Sequence, residues 1–325
     1  MNSERRRLLA AATLLPLSTA VRGATEDYPD KPVRLVVPFP PGGGADNLAR
    51  AIMPKVSQAL GRPIVIDNKP GAGGNVGAEL VAGSPPDGYT LLYGTNGTHS
   101  INQALYQTLR FDPIKDFAPV SRMTEIAAML VVTNGLPATT TTQLIRYAKA
   151  NPGKVNFASA GNGTTSHLSG ELFKTMTGLD IVHIPYRGGG AAVTDLITGQ
   201  VQMMIDVMPN VYPLAKDGRV RAIAVSTGVR FPGAPDIPTI GESGVAGFES
   251  SAWDGVLAPA GTPDAIVNKL NAAIRTALAD PELAETLKGR GARPVAGTPQ
   301  DFARHIAEST KKWAQVVKSS GARID

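Results

Sequence analysis

The chain has 325 residues, 42% of them hydrophobic, and no cysteine. That length suits about two domains, and the composition excludes disulfides and a thiol nucleophile; no apolar run reaches the roughly 18 residues that span a membrane. Residues 1–24 hold four of the 32 basic residues and one of the 27 acidic ones, so the formal charge of +5 falls to +2 beyond them and no basic run is left to bind nucleic acid.

Residues 1–24 read as an export signal. Arg5, Arg6 and Arg7 precede the apolar stretch from Leu8 to Leu17, and the small residues Ser18, Thr19 and Ala20 follow. The paired arginines also fit a twin-arginine signal, with the mature chain beginning near Thr25.

Arg34–Val37 is a short apolar run of strand character. Pro38–Pro41 and Gly42–Gly44 interrupt it, and Ala45–Leu60 carries Leu48, Ile52, Val56 and Leu60 at helical spacing. A strand, a glycine-rich loop and a helix N-terminus in succession present unpaired N–H groups and the positive end of a helix dipole, which favour an anion. The anion is not signalled as a nucleotide. Gly-x-Gly-x-x-Gly fails because Asn47 stands at its last position, and no Gly-x-x-x-x-Gly-Lys-Ser/Thr occurs in the chain. A small carboxylate is the favoured alternative; a plain tight turn is the other.

The unit recurs. Pro63–Ile66 is a strand before the turn Asp67–Asn75 and a helix over Val76–Ala82; Tyr89–Tyr93 is a strand before Gly94–His99, which contains Thr95, and a helical stretch with Ile101, Leu105 and Leu109. Three such units predict an α/β protein with a parallel sheet, its ligand loops at the carboxyl ends of the strands. Phe117–Val132 is a long extended passage. Then follow a helix over Thr141–Ala150, a strand over Val155–Ala158, the loop Ser159–His167 with a helix to about Met176, a strand over Asp180–Ile184 ending in Pro185–Gly190, a helix over Ala191–Ile197, and strands over Val201–Ile205 and Val220–Val225. Ser250–Pro259 is a second extended passage. From Pro263 a helix carries Ile266, Leu270, Ile274 and Leu278, and Thr298 with Pro299 starts a last one. Two extended crossings predict two lobes, one from 25 to 125 with 250 to 325, the other from 126 to 249, around a cleft closed by hinge bending.

The second lobe supplies its own anion loop. Gly161 and Gly163 allow it to curl, and Ser159, Thr164 and the following hydroxyls suit carboxylate oxygens, although a hydroxyl-rich helix cap reads the same way. Tyr186 and Arg187 belong to the neighbouring loop, Arg187 either pairing with a carboxylate or lying in solvent. Asp206 ends a strand, placed to accept hydrogen bonds from a ligand or to cap the next helix. No catalytic residue is assigned: there is no Gly-x-Ser-x-Gly and no His-Glu-x-x-His, and a hydrolase or isomerase using His167 and Asp206 is the poorer alternative. No metal and no cofactor is expected; the histidines lack metal-like spacing, and His167 with Glu171 is only a one-turn pair.

The motifs Tyr28–Asp46, Gly71–Gly77, Pro86–Leu92, Ser159–Thr164 with His167, Ile184–Gly188 and Trp253–Pro263, in that order, resemble the Bug family. These are periplasmic solute-binding proteins associated with tripartite tricarboxylate transporters. The resemblance covers essentially the whole chain after the signal. It implies a two-lobed periplasmic binding fold (type II, Venus-flytrap) with two hinge crossings, and a small, often carboxylated ligand in the cleft. The family's two ligand loops match Phe39–Asp46, with Phe39, Gly43, Gly44, Ala45 and Asp46, and Ser159–Thr164; its strand-end aspartate matches Asp206. The implied partners are the ligand and membrane permease subunits, with the chain itself a periplasmic monomer. A sensor that presents its ligand to a histidine kinase is the alternative from another class.

Overall fold

The computed structural model describes residues 28–324; the export signal read from residues 1–24 lies outside them. The first part of the chain runs β1 (Val33–Val37), α1 (Gly44–Leu60), β2 (Ile64–Asn68), α2 (Asn75–Ala82) and β3 (Thr90–Thr95), then a π-helical turn at Gly97–Ile101 into α3 (Asn102–Leu105). The long strand β4 (Phe117–Val132) follows, then α4 (Thr141–Ala150), β5 (Asn156–Ser159), α5 (Thr165–Thr177), β6 (Val182–Pro185), α6 (Gly189–Thr198), β7 (Met203–Val207), α7 (Met208–Lys216) and β8 (Arg221–Val225). The chain ends with β9 (Ser251–Pro259), α8 (Asp264–Leu278), α9 (Pro281–Gly289), β10 (Ala292–Pro294) and α10 (Pro299–Ser320).

β1 pairs in parallel with β2 on one side and β3 on the other. Its side chains alternate between two cores. Leu35 and Val37 pack with Leu48, Ile52 and Val56 of α1 and Ile266, Leu270 and Ile274 of α8. Val36 packs on the opposite face with Ala78 and Val81 of α2 and Phe302 and Ile306 of α10. A strand buried on both faces needs apolar residues at every position, which is why Arg34–Val37 reads as a continuous run.

β4 ties the two halves together. Its first part pairs antiparallel with β9 and β10, and its second part with β7 and β8. Register shifts at Pro119/Ser121, Arg122/Thr124 and Leu130/Val131 bend it along the way. Beyond the bends, β5 pairs in parallel with β6 and β7. Leu130 and Val132 face Leu144, Phe173 and Phe248, whereas Met129 and Val131 face Val193, Leu196 and Val211. The result is a two-lobed α/β fold of the periplasmic binding type, in which β4 and β9 are the two crossings. α10 begins with a capping box between Thr298 and Asp301. Its far end rests Trp313 and Val317 on Ile101 and Leu105 and also on Leu168 of α5.

The structure departs from the sequence reading in three places. The helix through Ile101 and Leu105 stops there, short of Leu109, because Tyr106 bridges Ile324 and the Ile324 N–H donates to the Leu105 carbonyl at 3.2 Å. α7 enters that reading only as the helix that Asp206 would cap, without a range; its Pro209 sits in the first turn, where its missing N–H has no partner to lose. α9 and β10 have no counterpart in that reading, although Asp280 caps α9 by accepting the Leu283 N–H at 3.0 Å.

Candidate ligand-binding site

The carboxyl ends of β1, β3, β5, β6 and β7 open onto one cavity of about 260 Å³. Three helices begin at its wall: α1 through Gly43, Gly44 and Ala45, α5 through Thr164, Thr165 and Ser166, and α6 through Gly188, Gly189 and Gly190. The first N–H groups of a helix have no intrahelical partner, and each dipole end favours an anion by about 0.3–1 kcal/mol when exposed and up to about 2 when partly buried. Three such ends turn their positive dipole poles toward the cavity. Arg187, exposed at the mouth, is the one Lys or Arg among its lining residues. Phe39, Ile126 and Trp253 supply apolar walls.

Two buried carboxyl groups also line the cavity. Asp206, 3% exposed, accepts from Asn210 Nδ2 at 2.6 Å. Burial pushes its pKa up to about 6, against the opposing hydrogen bonds from Asn210, the Val207 N–H and Ser166. Asp254 of β9 is fully buried and accepts from Thr124 Oγ1 at 2.6 Å and from the Tyr93 hydroxyl. Burial raises it to about 6 as well.

Of the residues singled out from sequence, Phe39, Gly43, Gly44, Ala45, Thr95, Thr164, Arg187 and Asp206 line the cavity. The others lie outside its wall. Asp46 is buried beneath the first loop, where it accepts from the Gly42 N–H at 2.9 Å, Arg50 Nε at 2.8 Å and Asn68 Nδ2 at 3.0 Å. Burial opposes its ionisation, but these donors outweigh it and hold the carboxyl below its ordinary range. Tyr186 donates to Asp195 Oδ2 at 2.7 Å. Ser159, Gly161, Gly163 and His167 brace the second loop from behind. Ser159 Oγ sits 2.6 Å from His183 Nε2 and accepts the Gly161 N–H at 3.1 Å, and the Gly163 N–H donates to His167 Nδ1 at 3.3 Å. The Ala160 N–H donates to Ser166 Oγ at 2.9 Å. Several main-chain amides of Ser159–Gly163 are thus spent inside the loop, which reaches the cavity through Ala160, and the rest of this wall is made by Thr164–Ser166. Of His167 and Asp206, Asp206 lines the cavity and His167 does not.

The sequence reading did not single out Tyr93, Asn96, Ile126, Trp253 or Asp254. The extended passages through Ile126 and Trp253 signal crossings, and nothing local in them signals that the crossings form the floor of the cavity. Contacts between the lobes ring it. Thr165 Oγ1 donates to Asn96 Oδ1 at 3.0 Å, and a Cβ on Gly44 would lie 2.6 Å from Val207 Cγ2.

A two-lobed fold that encloses such a cavity between strand ends and helix N-termini defines a solute-binding receptor. The chain belongs to the tripartite tricarboxylate transporter receptor family, TctC, whose family model matches residues 48–322. Among its relatives, protein BugT of Bordetella pertussis is 36% identical over 98% of both chains. A solved R. palustris protein with adipate is 41% identical, with a TM-score of 0.90 over 92% of this chain and all of the other. MatC from Rhodopseudomonas palustris with bound malate is 37% identical, with a TM-score of 0.85 over 89% of this chain and all of the other.

Proposed function

We propose that this receptor works in the periplasm as a monomer, captures a small carboxylate between its lobes and delivers it to a tripartite tricarboxylate-type membrane permease. The observation that carries the reading is the meeting of three helix N-termini, from both lobes, at one cavity. A ligand carboxylate sits at the starts of α1 and α5, where the N–H groups of Gly43, Gly44 and Thr165 offer donors, and Arg187 adds its charge at the mouth. The far end of the ligand lies toward Asp206 and carries a group that donates a hydrogen bond to it: a hydroxyl, an amine or a protonated carboxyl.

The lobes are the segments from 25 to 125 with 250 to 325, and from 126 to 249. Closure brings α5 and α6 against α1 and the β3 loop. The adipate and malate held by the two solved relatives support a carboxylated ligand here. The family's transporter context supports the permease as partner, and the arginine-led apolar N-terminus supports export.

A thermal-shift panel of mono-, di- and tricarboxylates, with and without hydroxyl or amino groups, tests the reading. A ligand at 100 times its Kd adds about 2.7 kcal/mol of stability. No shift across the panel, together with no small acid in the native mass spectrum of the purified protein, would overturn it.

A further inference from the structure

We propose that His167, Glu171 and His183 form a binding site for a divalent transition-metal ion of the zinc class, separate from the carboxylate cavity. One donor atom from each residue lies within 4.8 Å of the other two, and none of the three lines the cavity. His167 and Glu171 stand one turn apart on α5, and His183 comes from the middle of β6. Two imidazoles and one carboxylate are a zinc donor set, with a fourth position left for water. Tetrahedral coordination at about 2.1 Å places donor atoms about 3.4 Å apart, so the cluster needs to contract by little more than 1 Å.

The surroundings fit that role. Ser159 Oγ lies 2.6 Å from His183 Nε2. In the metal-bound form Ser159 Oγ accepts the Nε2–H and the Nδ1 lone pair faces the ion, the usual support of a metal-bound histidine. Glu171, half-buried, has no hydrogen bond or ion pair among the described residues. Such a carboxylate lacks compensation, and a cation would provide it.

His183 is sandwiched between Phe157, centroids 4.9 Å apart, and His167, centroids 4.2 Å apart. His167 is therefore the ring that tilts to bring Nε2 to a shared ion. To do so it gives up the 3.3 Å bond that Nδ1 accepts from the Gly163 N–H. Gly163 packs against Asn102 across the cleft, so cation binding reaches the loop that touches the other lobe.

The test uses tag-free protein stripped with a chelator, titrated with zinc by calorimetry and with cobalt(II) by visible absorption. The expected result is one ion per chain, with the d–d bands of a tetrahedral cobalt site. Affinity falls at least tenfold in Glu171→Gln and in His183→Gln, each with unchanged circular dichroism. Glu171→Gln breaks no hydrogen bond of the fold, so it decides the matter if His183→Gln folds poorly. Absence of saturable one-to-one binding, or equal affinity in Glu171→Gln and the native protein, would mark an adventitious ion only and overturn the assignment.

Discussion

Asn210 Nδ2 donates to Asp206 Oδ2 at 2.6 Å, which ties the end of β7 to the first turn of α7 at the wall of the cavity. The bond only partly offsets burial, and the Asp206 pKa stands at about 6 instead of 3.8. A carboxyl whose folded pKa is raised favours the fold fully below its unfolded pKa, and this contribution is lost as pH rises through the folded pKa. The difference amounts to about 3 kcal/mol once the group is fully ionised. Asp206→Asn is therefore expected to gain stability over the native protein between pH 4 and pH 7.5. Burial also holds His99, His167, His183 and His305 below their ordinary pKa, but they are common to both proteins and cancel. Melting curves at several pH values check this; a difference that does not change with pH would contradict it. On the ligand side, the same substitution should reorder preference among acids that share a carboxylate and differ at the far end.

Gly43 and Gly163 separate the cost of filling the cavity from the cost of strain. A Cβ on Gly43 meets only the Pro40 carbonyl, at an ordinary 3.6 Å, and the backbone there has φ −77°. Gly43→Val should weaken ligand binding more than tenfold and leave the melting temperature unchanged. Gly163 has φ +79°, and its Cβ would lie 2.1 Å from Asn102 Oδ1. Gly163→Val should lower stability and affinity together, since a β-branched residue in the left-handed region costs about 1–3 kcal/mol before any clash. Calorimetry paired with thermal melting distinguishes the two patterns.

Tyr93→Phe removes one of the two side-chain donors that hold Asp254. A buried carboxyl left short of a donor costs about 1–3 kcal/mol. Urea denaturation should report a loss in that range, and Thr124→Val should behave alike. Full retention of stability in both variants would show that Asp254 is not held by them.

Thr165→Val deletes the bond from Thr165 Oγ1 to Asn96 Oδ1 that joins α5 to the β3 loop. Asn96 Nδ2 is already buried without a partner, so the substitution leaves the whole amide unsatisfied on the closed side of the cleft. Ligand release measured by stopped flow should speed up about 5-fold to 150-fold, as the loss of about 1–3 kcal/mol dictates. An unchanged release rate would place the closing contacts elsewhere.

The local elements were legible where one physical pattern ruled a segment. Arg34–Val37 reads as a buried strand because both of its faces meet a core, and Thr298-Pro299 reads as a helix start because cap and first-turn chemistry is local. α7 was legible only as a helix following Asp206, and its extent was set by the structure, where Pro209 sits in the first turn and Pro213 lies inside the helix. Leu109 kept helical spacing, but a contact from the far end of the chain, at Ile324, ends the helix before it.

Sequence alone determined the α/β alternation, the glycine-rich loops after β1 and β5, and the presence of Asp206 at a strand end, because each rests on neighbours within a few residues. Tertiary structure decided which groups face the cavity. Asp46 turned inward to Arg50 and Asn68, and the amides of Gly161 and Gly163 turned to Ser159 and His167, while Asp254 and Trp253 arrived from a strand more than 200 residues after the first loop. A hydrogen-bond donor goes to whichever acceptor the packed chain brings near it, and in a chain whose crossings join distant segments that acceptor is set by the sheet rather than by sequence proximity.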